Sequence, residues 1–190
     1  MTISDRLRRR SPWLLLAAGA LATLVLGGGA IAGLRWTNTE AFCIGCHEMR
    51  DNVYAEYRDS VHDRSASGVR AVCADCHVPR ETIPMLIRKV QASGELWAKL
   101  TGKIDTAEKF EAHRHELAMR VWASMKRHDS RECRSCHTER AMAPELQSER
   151  AQTRHARAQR ENLTCIDCHF GIAHQEPEGP GPQEIEFAGK

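Results

Sequence analysis

All eight cysteines of this 190-residue chain fall into four pairs with two residues between the partners: Cys43/Cys46, Cys73/Cys76, Cys133/Cys136 and Cys165/Cys168. Such pairs serve disulfides, zinc sites or thioredoxin-like redox centres. The residue after each pair decides between them. It is His47, His77, His137 and His169, so every pair reads C-x-x-C-H. With ten histidines in the chain, four such matches by chance come to on the order of 10⁻⁵, and the pattern is that of c-type haem attachment. Two thiols add to the vinyl groups of one haem, and the adjacent imidazole lies under the iron as a proximal ligand. Four covalent haems are expected.

Four haems offer up to eight axial positions. Six histidines lie outside the motifs: His62, His113, His115, His128, His155 and His174. The motifs form two pairs with similar spacing, Cys43 to Cys73 and Cys133 to Cys165, with His62 and His155 lying singly between them. This resembles a duplicated dihaem unit and favours those two as distal ligands. His174, soon after the last motif, is a further candidate. His113, His115 and His128 sit in a charged helical stretch and read as solvated or propionate-facing. The first motif continues as Cys-Ile-Gly-Cys-His-Glu-Met. Met49 is then either packing or a thioether ligand, and the role of His47 stays open.

The elements that must hold these groups are helical. Trp13 to Leu34 is an uncharged apolar stretch preceded by Arg6, Arg8, Arg9 and Arg10. As a helix it spans about 33 Å, enough to cross a bilayer, and its arginines keep the N-terminus cytoplasmic. The rival is a cleaved signal, with Ala30-Ile31-Ala32 as the processing site. The run is long for one, and an anchor is expected. Apolar residues at helical spacing mark a helix from Met85 to Leu100 closed by Gly102. A second helix runs from an N-cap at Asp105 with Glu108 as its partner, through Phe110, Leu117, Val121 and Met125, to about Lys126. No alternating strand pattern is present. The expected fold is mainly α: one N-terminal transmembrane helix and a small multihaem cytochrome c domain, with much irregular chain around four haems. The boundaries are a cytoplasmic N-terminus at 1–12, the anchor at 13–35, the haem domain at 36–174 and a Pro/Gly-rich, acidic, disordered tail at 175–190.

A net charge of +2, with no basic stripe beyond the N-terminus, argues against a nucleic-acid partner. Aromatics are only 5% of residues, too few for a large side-chain core, and haems would supply the missing apolar bulk.

The stretches CIGCHEMRDNVYAEYRDSVH, GVRAVCADCHVP, IRKVQASGELW, GKIDTAEKFEAHR, HDSRECRSCH and TCIDCHFGIAH resemble the NapC/NirT/NrfH family of membrane-anchored tetrahaem quinol dehydrogenases. They are most like its branch that feeds periplasmic nitrate reductase, and the likeness runs from the anchor to His174. It implies that Met49 replaces His47 on the first haem, whose other face is open or near an acidic residue. It further implies His77 with His155 on the second haem, His137 with His174 on the third, and His169 with His62 on the fourth. Relatives often carry a histidine at the position of Arg80. Arginine stays protonated and is a poor iron ligand, and three outside histidines suffice without it.

By the same likeness the chain is a single-pass protein of the bacterial inner membrane with its haem domain in the periplasm. It would oxidise menaquinol or ubiquinol and reduce a periplasmic reductase, the nitrate reductase complex with its dihaem subunit. Alternatives are a nitrite, TMAO or DMSO reductase as acceptor, or a terminal multihaem reductase in its own right. Relatives place a lysine and an acidic residue beside the first haem as the quinol pocket, here Lys89 and Glu95. On residues alone that pair reads as solvated side chains of a surface helix. Six residues advance about 240°, so the two do not share a helical face.

Overall fold

The computed structural model describes residues 12–184. The arginines ahead of the anchor and residues 185–190 lie outside the described residues. Chain contacts divide the molecule into two units, one ending at Thr39 and one starting at Glu40.

The first unit contains α1, Pro12–Trp36, 25 residues that are long and apolar enough to cross a membrane and include no buried residue. The second contains α2 (Glu40–Cys43), a π-helical turn (Met49–Tyr54), α3 (Ala55–Tyr57), α4 (Cys73–His77), α5 (Thr82–Leu100), α6 (Ala107–Arg127), α7 (Arg131–Arg134) and α8 (Glu149–Arg160). Short 3₁₀ turns lie at Pro144–Leu146, Cys165–Asp167 and Pro182–Glu184, and no strand occurs among the described residues. The architecture is the mainly helical one expected.

Helices α5 and α6 fall where the apolar period placed them. Pro84 sits in the first turn of α5, where a missing N–H costs nothing. Gly102 ends that helix region with φ +73°, a conformation glycine adopts freely. The N-cap of α6 is Thr106, whose hydroxyl accepts from the Lys109 N–H at 3.3 Å. The expected cap, Asp105, instead binds the Lys109 ammonium at 2.6 Å. Helix α8 escaped the periodicity reading because ERAQTRHARAQR has no apolar stripe. Its signals are the Ser148 cap, which accepts from Ala151 N–H at 3.3 Å, and acidic-to-basic polarity along the axis.

The side-chain core is thin. Tyr57, Phe110, Trp122 and Ile166 are the buried large apolar residues among those described. Polar ties do much of the remaining work. Arg114 makes a bidentate pair with Glu56 at 3.0 and 2.6 Å, also binds Glu111, and stacks over Phe110. Both Arg114 and Glu56 are largely buried, the setting in which a fork-shaped pair fixes geometry.

Residues 175–184, read from composition as part of a disordered tail, make specific contacts with the rest of the domain. Gln175 N–H donates to Glu56 at 3.0 Å, His115 meets Pro180 O at 3.0 Å, and Gln183 donates to Asp167 O at 3.1 Å. Pro182 is fully buried. Prolines restrict the free chain, so seating this segment costs less entropy than its length implies.

Lys126 joins this segment to the fourth motif. Its ammonium donates to Pro182 O at 2.6 Å and pairs with Asp167 at 2.8 Å. Burial pushes the Asp167 carboxyl up, but Lys126 and the Thr164 N–H and hydroxyl together outweigh it and leave the pKa below its ordinary 3.8. A depressed carboxyl contributes stability above its ordinary value and loses it as pH falls through the folded value. Lys126→Met leaves that carboxylate buried without a cation, and is expected to cost about 3–5 kcal/mol at pH 7. Denaturant titration of the haem-loaded protein from pH 7 downward checks this: the gap between wild type and variant should be widest at pH 7 and shrink as the pH falls below 3.8 and the carboxyl takes up its proton.

Candidate haem-binding site

None of the eight cysteines is disulfide-bonded. Cys43, Cys46, Cys73, Cys76, Cys133 and Cys165 are partly covered, whereas Cys136 and Cys168 are exposed. The sequence reading sets Cys168 beside Cys165 as an equivalent attachment thiol, and the fold covers the two differently. Its Sγ lies out at the surface and accepts from Gln183 Nε2 at 3.6 Å, while Cys165 is turned inward to Cys133. The cause is local. The 3₁₀ turn Cys165–Asp167 buries Ile166 and Asp167, so the residue that follows the turn is left on its outer side. Exposure keeps the Cys168 thiol open to a haem vinyl group.

No three of His, Cys, Asp and Glu converge as a bare-metal site among the described residues. The imidazoles come instead in facing pairs. His77 faces His174, His62 faces His137, and His155 faces His169, each with ring centres 6.1 Å apart. Two imidazoles sharing one metal at about 2 Å per bond hold their centres about 6 Å apart. Each pair joins one motif histidine to one outside histidine, so the donor sets fit three haems with two axial imidazoles each.

The same six histidines were singled out from sequence, but the partners differ. The likeness gave His77–His155, His137–His174 and His169–His62, whereas the chain brings together His77–His174, His137–His62 and His169–His155. Helix α8 carries His155 back onto the motif that follows it, and the 170–174 segment runs to the second motif. His62 crosses to the third motif, so the two halves are not used equivalently.

Two of the three paired outside histidines are held by their second ring nitrogen. His174 Nδ1–H donates to Val53 O at 3.0 Å, and His155 Nδ1–H to Gln147 Oε1 at 2.7 Å. This leaves Nε2 to bind metal, the usual division of labour in a ligating imidazole. Burial lowers the pKa of His77 to about 4, aided by His174 and Arg88, and burial also lowers His169 and His174. These rings are therefore neutral near pH 7, as a metal ligand must be. His62 is steadied through its backbone: the Tyr57 hydroxyl donates to Ala71 O and lies 3.1 Å from His62 O. Burial pushes that phenol up to about 12.

Gln147 carried no signal in the sequence, because it lies eight residues before His155 and meets it only once α8 has formed. Gln147→Leu removes the acceptor that makes the His155 ring more basic, and is expected to raise one haem's midpoint potential while leaving the others in place. Spectroelectrochemical titration of the membrane-extracted protein reads this directly.

His113 and His128 each direct Nδ1 to a backbone carbonyl one helical turn back, and His115 packs on Trp122. None of these three faces another imidazole among the described ring contacts. Arg80 donates to Asp75 at 3.2 Å and lies 3.7 Å from Cys136 Sγ. It bridges the second and third motifs and stands apart from the three imidazole pairs.

Successive motifs are neighbours in space. Cys43 and Cys73 share a hydrogen bond that pulls Cys43 down to about 7 and raises Cys73. Helix α4, carrying the second motif, packs on α2 of the first and on α7 of the third. Cys133 and Cys165 share a second such bond, which lowers Cys165 to about 6 and raises Cys133. The order in space is therefore first, second, third, fourth.

The first motif differs from the rest. His47 is largely exposed, and its Nε2 lies 3.3 Å from Glu48. Met49 opens the π-helical turn and is half-exposed. Glu48 is buried and paired with Lys99 of α5. Burial raises the Glu48 carboxyl, but Lys99 more than reverses this and leaves it lowered. Sequence reasoning missed this pair, since 51 residues separate its members. Of the two residues expected at the quinol pocket, Lys89 feels Cys43, while burial lowers its own pKa. Glu95 is half-exposed and held by Arg88 at 2.8 Å.

The model of the NapC/NirT cytochrome c family, N-terminal region, matches residues 6–179. The chain belongs to the NapC/NirT cytochrome c family. It is 54% identical over 165 residues to the denitrification system component NirT of Stutzerimonas stutzeri, covering 87% of this chain and 82% of that protein. It is 51% identical to the cytochrome c-type protein NapC of Escherichia coli K12, over 86% of this chain and 82% of that one. The cytochrome c-type protein TorY of Escherichia coli O157:H7 is 46% identical, over 83% of this chain and 44% of its own length. No solved structure matches. As a NapC/NirT cytochrome the protein binds haem covalently and has a multihaem electron-transfer role. Its N-terminal α1 is a membrane anchor, and its redox partner is periplasmic.

Proposed function

We propose that this NapC/NirT cytochrome oxidises quinol of the bacterial inner membrane and passes the electrons to a periplasmic reductase, the nitrate reductase system. The N-terminus lies in the cytoplasm, residues 13–35 span the membrane and the haem domain from 36 onward is periplasmic. The observation that carries the reading is the succession of four neighbouring C-x-x-C-H motifs with the charge of Lys89 reaching Cys43 of the first. Both thiols of each motif hold its haem, the exposed Cys136 and Cys168 included. His77/His174, His137/His62 and His169/His155 are the axial pairs of the second, third and fourth haems, and Met49 ligates the first.

Bound haem supplies one-electron transfer at a potential set by its ligands and surroundings. The chain's own residues handle the quinol. Oxidation releases two protons with two electrons, so the site needs a hydrogen-bond partner for the oxygen and a proton acceptor. Lys89, with its lowered pKa, serves the first role, and Glu95, oriented by Arg88, the second. The Glu48–Lys99 pair fastens α5, which carries both, against the first motif.

The names of the relatives divide between denitrification, NapC and TorY, so the nitrate reductase assignment rests on the NapC likeness. Isolated protein in detergent should be reduced by a quinol analogue and then reoxidised by the periplasmic nitrate reductase complex. Failure with quinol together with turnover of nitrite from an artificial donor would favour a terminal reductase instead.

A further inference from the structure

Helix α5 presents an apolar stripe that no other part of the described chain covers. Ile83, Val90 and Trp97 repeat every seven residues and are 66%, 74% and 67% exposed. Ile87 flanks them at 54% and Leu86 at 39%. Exposed apolar residues scattered singly need no explanation, but a continuous stripe on one helix marks a contact surface.

The opposite side of the same helix is committed to the first motif. Val90 and Lys99 are nine residues apart, about half a turn at 100° per residue, and Lys99 is the partner of buried Glu48. Lys89, about 100° round from Val90, is the residue that feels Cys43. The first motif therefore lies against the polar side of α5, and the Ile83/Val90/Trp97 stripe faces away from it.

The chain itself says what lies nearby. Only Thr37, Asn38 and Thr39 separate the end of α1 from α2, which carries Cys43. Four residue steps span at most about 14 Å, so the first motif is tethered close to the membrane surface by the anchor.

We propose that α5 lies in the lipid interface with Ile83, Ile87, Val90 and Trp97 in the headgroup–acyl boundary, giving the protein a second, monotopic membrane contact. An amphipathic helix in this setting buries its apolar face about 5–10 Å deep, and tryptophan favours that level. The proposal rests on α1 being an anchor and does not require the quinol assignment.

The test uses the full-length, haem-loaded protein in phosphatidylcholine–phosphatidylglycerol nanodiscs containing a diazirine-bearing phosphatidylcholine. After irradiation, tryptic peptides are mapped for lipid adducts. Adducts are expected on the α1 peptide and on Val90–Lys99, and Val90→Glu combined with Trp97→Glu should lower those on Val90–Lys99 at least tenfold. These side chains are exposed, so the haem spectrum and the α1 adducts should be unchanged. Wild type labelled on α1 alone overturns the proposal whether or not the variant folds. So does a double variant that keeps its Val90–Lys99 adducts, or a stripe that cross-links to a second copy of the chain in place of lipid. Absence of adducts on α1 would instead sink the anchor reading.

Discussion

Lys89→Ala is expected to stop reduction of the protein by quinol while dithionite still reduces all four haems. A positioned proton-transfer or hydrogen-bonding group contributes about 10²–10⁴ in rate, so the quinol-driven rate should fall by at least about a hundredfold. Lys89 is the cation whose charge reaches Cys43, and burial lowers its pKa; its ammonium can donate a hydrogen bond to a quinol oxygen. Glu95→Ala should have a comparable effect, because it removes the carboxylate that Arg88 orients. Stopped-flow reduction by a quinol analogue in detergent reads both variants against dithionite controls. If the two oxidise quinol at the wild-type rate, the pocket lies elsewhere on the domain.

The second large effect concerns which histidines share an iron. His62→Met should raise one haem's potential by on the order of 100 mV, because a thioether in place of imidazole favours the reduced iron. The facing rings assign that haem to the third motif, through His137. A variant lacking Cys133 and Cys136 would carry three haems, and adding His62→Met to it should then move no remaining potential. If one of the three still rises, His62 serves a different motif, and the pairing with His169 implied by the family likeness becomes the better one. His174→Met gives a parallel check with no haem deleted: it should alter the same low-spin signal as a His77 variant.

The local signals were strong because they are covalent or periodic. Four C-x-x-C-H motifs, an anchor of uninterrupted apolar residues and two helices with a 3.6-residue stripe need no knowledge of distant contacts. The six paired histidines also stood out, partly from the repeat and partly from the family likeness. What stayed hidden was long-range. Gln147 meets His155 across a helix turn that carries no apolar pattern, and Glu48 meets Lys99 across the whole second motif. The motif pattern treats Cys165 and Cys168 alike, and only the folded turn separates an inward thiol from an outward one. Residues 175–184 read as disordered because composition reports the cost of ordering a chain, and not the donors waiting for its carbonyls on Lys126 and His115, nor the Asp167 carbonyl that Gln183 reaches.

The sequence by itself set the expectation of four covalent haems on named cysteine pairs, and it determined that one helix is long and apolar enough to span a membrane. Those properties follow from bonds within five residues or from transfer of a single helix into lipid. Only the tertiary structure decided which imidazole faces which, which motifs are neighbours, and that α5 turns its lysines to the first motif and its tryptophan outward. These depend on where loops of thirty or more residues return, and spacing along a chain does not fix direction in space.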